Sequence, residues 1–203
     1  MSGLAADLSA LAAGTQARFV LGLAGAPASG KSSLAEALVR EVPDAALLPM
    51  DGFHLDDGLL EARGHRDRKG APHTFDVAGF CVLLRRLRTG EAVYAPSFDR
   101  RLEVSRAGAI HIPPEVRIVV VEGNYLLHDS GGWEAVRPLL HACWFLDVPW
   151  PELDRRLLER WAAHGKAPDE ARAWIDGNDL PNAQIVARSR GHADRVLSAA
   201  DPI

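Results

Sequence analysis

Between Gly25 and Ser32 the chain reads GAPASGKS, a glycine, four residues, a second glycine, a lysine and a hydroxyl-bearing residue. Glycines at both ends let successive backbone N–H groups turn inward, and phosphate oxygens are the ligands such a nest takes at a helix N-terminus. Lys31 then reaches the β and γ phosphates of a nucleotide, and the Ser32 hydroxyl is placed for magnesium. Four fixed positions match by accident in about one chain in a hundred of this length, which makes a chance Gly-rich turn the poorer account. The pattern predicts ATP and Mg2+, held by Gly25, Ala26, Pro27, Ala28, Ser29, Gly30, Lys31, Ser32 and Ser33, with Ser32 on the metal.

Two carboxylates stand where they could act on the same phosphates. Asp51 ends the apolar run Ala45–Met50; it could orient or deprotonate an acceptor hydroxyl, or be an ordinary Asp-Gly turn residue with no such task. Its strand is expected beside the strand that feeds the phosphate loop. Glu122 follows RIVVV (117–121) and precedes Gly123 and Asn124. At a strand end it can hold Mg2+ directly or through water, the plainer alternative being an exposed acid. Glu122 and Asn124 also join the residues expected near the acceptor.

Arg155, Arg156 and Arg160 fall on one helical stretch, and Arg156 and Arg160 share a face through i, i+4 spacing. Arginines there could clamp phosphates when a lid closes; salt links to Glu152, Asp154 and Glu159 would account for them equally well without the phosphate loop. His54, His73, Asp76, Asp99 and Arg100 gather around a long loop and a charged turn, where each alone reads as surface. Trp133, Trp144, Trp150, Trp161 and Trp174 read as core or helix-packing residues, because no basic stripe accompanies them.

These residues need a frame. Residues 4–13 alternate Leu and Ala with helical spacing. Arg18–Ala24 reads as a strand, Ser32–Glu41 as a helix, Ala45–Met50 as a strand and Asp76–Arg88 as a helix, with a long charged loop over Leu55–Thr74. Residues 93–112 read as two short strands around a charged turn. Arg117–Val121 and Ala142–Asp147 read as buried strands, Pro151–His164 as a helix and Ala193–Ser198 as a last strand. Strands alternating with helices imply a single α/β domain over 1–203, a three-layer sandwich whose mostly parallel central sheet carries helices on both faces. A substrate loop at about 52–75, a β-hairpin at about 93–112 and a helical lid at about 155–180 complete it.

Composition narrows the partners. Of 203 residues, 23 are Lys or Arg and 27 Asp or Glu, a balance without the basic field that tracks a nucleic-acid backbone. No apolar run approaches the roughly 20 residues that span a bilayer. Cys81 and Cys143 sit far apart in apolar surroundings, which suits buried thiols in a reducing compartment, so a cytoplasmic protein, a monomer or homodimer without membrane or nucleic-acid partner, is expected.

Taken together, GAPASGKS (25–32), MDGFHLDD (50–57), HTFDVAGF (73–80), YAPSFDR (94–100), VVVEGNYLL (119–127), FLDVPWPELDRRLLERW (145–161) and NDLPNAQIV (178–186) resemble the P-loop kinases of the uridine kinase, pantothenate kinase and phosphoribulokinase superfamily. The resemblance is nearest to the bacterial proteins called fructose transport system kinases. It implies a P-loop NTPase fold and ATP-dependent transfer of the γ-phosphoryl group to a hydroxyl of a small metabolite, such as a sugar like fructose, a nucleoside or a pantothenate-like compound. It further implies Asp51 as catalytic base, His54 and Asp76 as substrate holders, Asp99 and Arg100 on a substrate-contacting hairpin, and Arg156 and Arg160 on the lid helix. The competing expectation is a nucleoside triphosphate hydrolase or nucleotide-dependent switch without a metabolite acceptor. It lacks support from an Asn-Lys-x-Asp guanine-reading motif or a second nucleotide-signature loop.

Overall fold

The strand that feeds the phosphate loop, β1 (Phe19–Gly25), is buried at every residue, and so is β5 (Ile118–Gly123). Continuous burial is what parallel strands covered on both faces require. The structure, a computed structural model, describes residues 3–15 and 17–198. Around β1 and β5 lie β2 (Ala45–Pro49), β6 (Ala142–Asp147) and β7 (Arg195–Ser198), in the order β2-β5-β1-β6-β7, all parallel.

Alternate residues of β1 feed two cores. Val20 and Ala24 pack with Leu48, Val119, Val121 and Phe145 on one face, where Phe80 and Leu84 of α4 (Val77–Arg88) cover them together with Trp133. Phe19, Leu21 and Leu23 point the other way, into Leu4 and Leu8 of α1 (Gly3–Ala13), Leu34 and Leu38 of α2 (Lys31–Glu41) and Leu153 of α5 (Trp150–Ala163). The result is a three-layer α/β sandwich. Cys81 and Cys143 are free and buried, and burial pushes the Cys143 thiol up to about 12.

Three features differ from the expectations. Asp51 lies in the turn after β2, and β2 does not neighbour β1, because β5 lies between them. The crossover through α2 skips one position, and a later strand fills it. The Leu55–Thr74 loop contains a short helix, α3 (Asp57–Ala62), capped by Asp56, whose carboxylate accepts from Gly58 N at 2.9 Å. The helical lid expected over about 155–180 continues past α5 as separate pieces and extends further, as α6 (Pro168–Trp174), a π turn (Ile175–Asp179) and α7 (Leu180–Arg188).

Outside the main sheet, β3 (Val93–Asp99) and β4 (Val104–Ile112) form an antiparallel hairpin whose register shifts around Pro96, a residue with no N–H for the ladder. Its inner edge presses on the turn after β2. A Cβ on Gly52 would collide with the Pro96 carbonyl, so the glycine of the Asp51-Gly52 pair is required by this close approach.

Candidate active site

The register brings Leu23 of β1 and Pro49 of β2 level with Glu122 of β5. The C-terminal ends of three strands therefore open at one place, where parallel α/β sheets bind ligands. Gly25 starts the loop from β1 into α2, and a Cβ there would lie 2.8 Å from Ser29 Oγ and 3.1 Å from the Leu146 carbonyl. Gly30, with φ of 95°, caps α2 in the left-handed region, and Ala28 also has a positive φ of 62°. A non-glycine residue held there stores backbone strain of the kind found at binding sites. Ser29 Oγ is buried without a hydrogen-bond partner among the described residues.

Lys31 is half-buried at the head of α2. Desolvation lowers its pKa even though Glu122 and Asp51 pull it up. Glu122 is 4% exposed, and the Ser32 hydroxyl beside it favours the ionised carboxyl. Burial nevertheless pushes that carboxyl above the usual range, against the pull of Lys31. A hydroxyl and a buried carboxylate side by side at phosphate height form a hard-oxygen pair suited to Mg2+.

Asp51 behaves in the opposite way. Burial pushes its pKa up, but His54, Arg100, Lys31 and Arg160 together outweigh burial and hold the carboxyl below its ordinary value. Arg100 Nη2 donates to Asp51 Oδ2 at 2.7 Å. His54 Nδ1 donates to the Asp51 carbonyl at 2.8 Å, which leaves Nε2 as an acceptor. The imidazole packs between Phe75 and Phe98, with centroids at 4.1 and 4.7 Å, and burial lowers its pKa.

A cavity of about 550 Å³ joins Lys31, Asp51, His54 and Arg100, while Ser32 and Glu122 lie outside its lining. Of the residues expected from the sequence, Pro27, Lys31, Asp51, His54, Arg100, Asn124 and Arg160 line it. Others stand elsewhere. Asp76 is the exposed N-cap of α4, accepting from Gly79 N at 2.9 Å. Asp99 accepts from the backbone N–H groups of Arg101 and Leu102, both at 3.1 Å, and so shapes the hairpin turn. Arg156 lies against the outside of the phosphate loop: Nη1 donates to the Ser29 carbonyl at 2.8 Å, while Nε donates to Glu152 at 2.6 Å. Arg155 pairs with Glu152 and Glu159 at the surface. Arg160 alone of the three faces the cavity, and burial lowers its pKa.

Several wall residues escaped the sequence reading. Trp161 and Trp174, expected as packing residues, line the cavity with their rings edge to face at 5.8 Å. Trp161 Nε1 donates to Asp179 at 2.7 Å. Asn178, Asp179 and Asn182 are buried polar residues around the π turn, a helix irregularity common at functional sites. The Asn-Asp-x-x-Asn cluster opening α7 was the available signal. Lys69 is the hub of the wall: Nζ donates to Asp57 at 2.6 Å and to the Glu103 carbonyl at 2.8 Å, and its own carbonyl accepts from Asn178 at 2.9 Å. Substrate loop, hairpin and lid are thus tied through one residue.

No protein-family model matches the chain. Sequence and structure comparisons do find relatives. The chain is 42% identical to a Silicibacter sp. TM1040 protein provisionally assigned as a fructose transport system kinase, with a TM-score of 0.87 over 94% of this chain and 98% of that one. It is 32% identical over 196 residues to a provisionally assigned uridine kinase of Schizosaccharomyces pombe, covering 90% of this chain and 83% of the relative. It is 33% identical to a pantothenate kinase of Leifsonia xyli subsp. xyli over 88% of this chain and 65% of that enzyme.

Proposed function

The chain belongs to the P-loop kinases related to uridine kinase and pantothenate kinase, ATP-dependent phosphotransferases that act on a hydroxyl of a small molecule, and on that premise we propose how its residues divide the work and what it phosphorylates. The acceptor is a small sugar-like metabolite. The polar wall supports this, and so does the likeness to a protein provisionally named for fructose transport.

In this reading the backbone from Gly25 to Ser33 cradles the phosphates of ATP, and Lys31 lies along the β and γ groups. The orphaned, buried Ser29 Oγ fits a loop built around a polar ligand. Ser32 and Glu122 hold Mg2+, which when bound draws charge away from the β–γ bridge and favours the ionised form of the Glu122 carboxyl. Arg160 meets the transferring phosphoryl group. Arg156 keeps the phosphate loop in shape through its carbonyls, a positioning task that differs from the lid contact first expected of it.

The observation that carries the reading is the Asp51 carboxylate, which faces the same cavity as Lys31 and Arg160 and is ion-paired to Arg100 at 2.7 Å. With Arg100 on one oxygen, the other, which has no hydrogen bond among the described residues, can take the acceptor hydroxyl. A carboxylate with a lowered pKa is a weak base, so Asp51 chiefly orients the hydroxyl and receives its proton late, as the oxygen–phosphorus bond forms and the bridge oxygen leaves with ADP. Among the described residues no helix is long and apolar enough to cross a membrane. We further take the enzyme to be cytoplasmic, a reading supported by its two buried free thiols.

The test is ADP formation with and without small hydroxyl compounds. A kinase gives acceptor-stimulated ADP and a phosphorylated product. ADP formation at one rate whatever compound is added would instead identify a hydrolase or switch.

A further inference from the structure

Seven lysine and arginine side chains but only three aspartate and glutamate side chains line the cavity. The chain as a whole has the opposite balance, 23 basic against 27 acidic residues, so the cavity concentrates positive charge that composition does not supply. Some of that charge is internally matched: Arg66 and Lys69 both pair with Asp57, at 2.8 and 2.6 Å, and Arg100 pairs with Asp51. Lys31, Arg101, Arg160 and Lys166 have no ion pair among the described residues.

On the reading above, Lys31 and Arg160 serve the nucleotide. A magnesium-bound triphosphate brings roughly two net negative charges, and these two cations answer it. Arg101, on the hairpin turn, and Lys166, on the loop after α5, are left over. Lys166 Nζ stands 5.2 and 5.3 Å from the ring centroids of Trp161 and Trp174, which hold it at the cavity wall. Both belong to the elements that enclose the acceptor side, not to the phosphate loop.

A second feature of the same wall calls for a different group. Asn182 is 2% exposed, and among the described residues neither its Oδ1 nor the buried Oδ1 of Asn124 has a hydrogen-bond partner. Both residues line the cavity. A buried amide oxygen without a donor is costly to leave so, and ligand hydroxyl groups are suitable donors.

We propose that the acceptor is a polyhydroxylated small molecule that itself carries an anionic group, a phosphate monoester or a carboxylate, recognised by Arg101 and Lys166 while Asn124 and Asn182 take its spare hydroxyls. This inference rests on the kinase reading and narrows it. A neutral sugar would leave the surplus charge of the wall unanswered.

Matched acceptors test it in one ADP-formation assay with the whole protein: fructose against fructose 6-phosphate, and glycerol against glycerol 3-phosphate and glycerate. The anionic member of a pair is expected to show at least about tenfold higher kcat/KM, the gain of one charge-assisted contact. The phosphate and carboxylate arms reveal which anion is preferred. Arg101→Ala and Lys166→Ala should each raise KM for that acceptor about tenfold while KM for ATP moves less than twofold, and Arg101→Lys should recover part of the loss. A merely structural role would move the thermal midpoint and both KM values together. Neutral members that match or exceed their anionic partners would overturn the inference and leave the kinase standing. Acceptor-independent ADP formation throughout would overturn both.

Discussion

The phosphate loop and the acceptor wall face one cavity but are built on different principles. The loop is one continuous stretch of backbone, Gly25–Ser33, running from a fully buried strand into a helix, and on the function proposed above its main-chain N–H groups and the head of Lys31 face the ligand. The wall is assembled from side chains of five separated segments: the turn after β2, the hairpin, the loop around Lys69, Asn124 after β5, and the lid from α5 to α7. The first needs glycines at fixed spacing, so its chemistry is common to many ligands that end in a phosphate. The second can change residue by residue without touching the sheet, and on the function proposed above it sets acceptor choice.

That division predicts where damage will be total and where it will be selective. Lys31→Ala attacks the part that every turnover uses. It should lower the rate by about 10³-fold or more for every acceptor while circular dichroism stays unchanged, since lost stabilisation of developing charge has effects of that size. Selective loss with one acceptor only would break the contrast between a common loop and a selective wall.

Glu122→Gln should act in the same region with a smaller effect, about 10- to 100-fold, together with a higher magnesium requirement. It also carries a pH signature. The free-enzyme carboxyl titrates above its ordinary value, so the acid limb of kcat/KM for ATP should report Glu122 and disappear in the variant. Stability follows the same sign. A carboxyl whose folded pKa is raised favours the folded state below its unfolded pKa, and that advantage is lost as pH rises through the folded value. The variant should therefore match or exceed the wild-type melting temperature at neutral pH, as thermal denaturation across pH would show. A collapse in stability with unchanged magnesium dependence would make Glu122 a structural residue.

Arg100→Ala probes the wall and should have the mildest effect. Arg100 is one of four groups that hold the Asp51 carboxyl down, after His54, so its removal raises that pKa without restoring it fully. The rate near neutrality should fall less than tenfold, and the acid limb of kcat for the acceptor should move to higher pH. An acid limb that stays in place would separate Arg100 from Asp51.

The same contrast governs what could be read from the sequence. The phosphate loop was legible because its determinants are local: Gly25, Gly30, Lys31 and Ser32 lie within eight positions of one another. The strands of the sheet were legible because continuous apolar runs have one good use in an α/β chain. Strand order was harder, since β5 enters between β1 and β2 long after both have formed in the sequence. The wall was least legible. Trp161 and Trp174 have the composition of packing residues, and only the fold places their rings beside a cavity. Asp76 and Asp99 received substrate roles only from the family resemblance, and both carboxylates instead cap backbone N–H groups, a local task that spacing to Gly79 and Leu102 could have suggested. Lys69 gave no signal at all, because its partners Asp57, Glu103 and Asn178 come from three segments.

The central claim is that Asp51 acts on an acceptor hydroxyl, and Asp51→Asn tests it most directly when acceptor-dependent ADP formation and ATP affinity are measured on the same preparation. The account predicts a loss of acceptor-dependent turnover of about 10²–10⁴-fold, the usual contribution of a positioned base, with ATP affinity unchanged because the phosphates are held by the loop from Gly25 to Ser33. A variant that forms ADP at the wild-type rate, with no hydroxyl compound stimulating either protein, would contradict it.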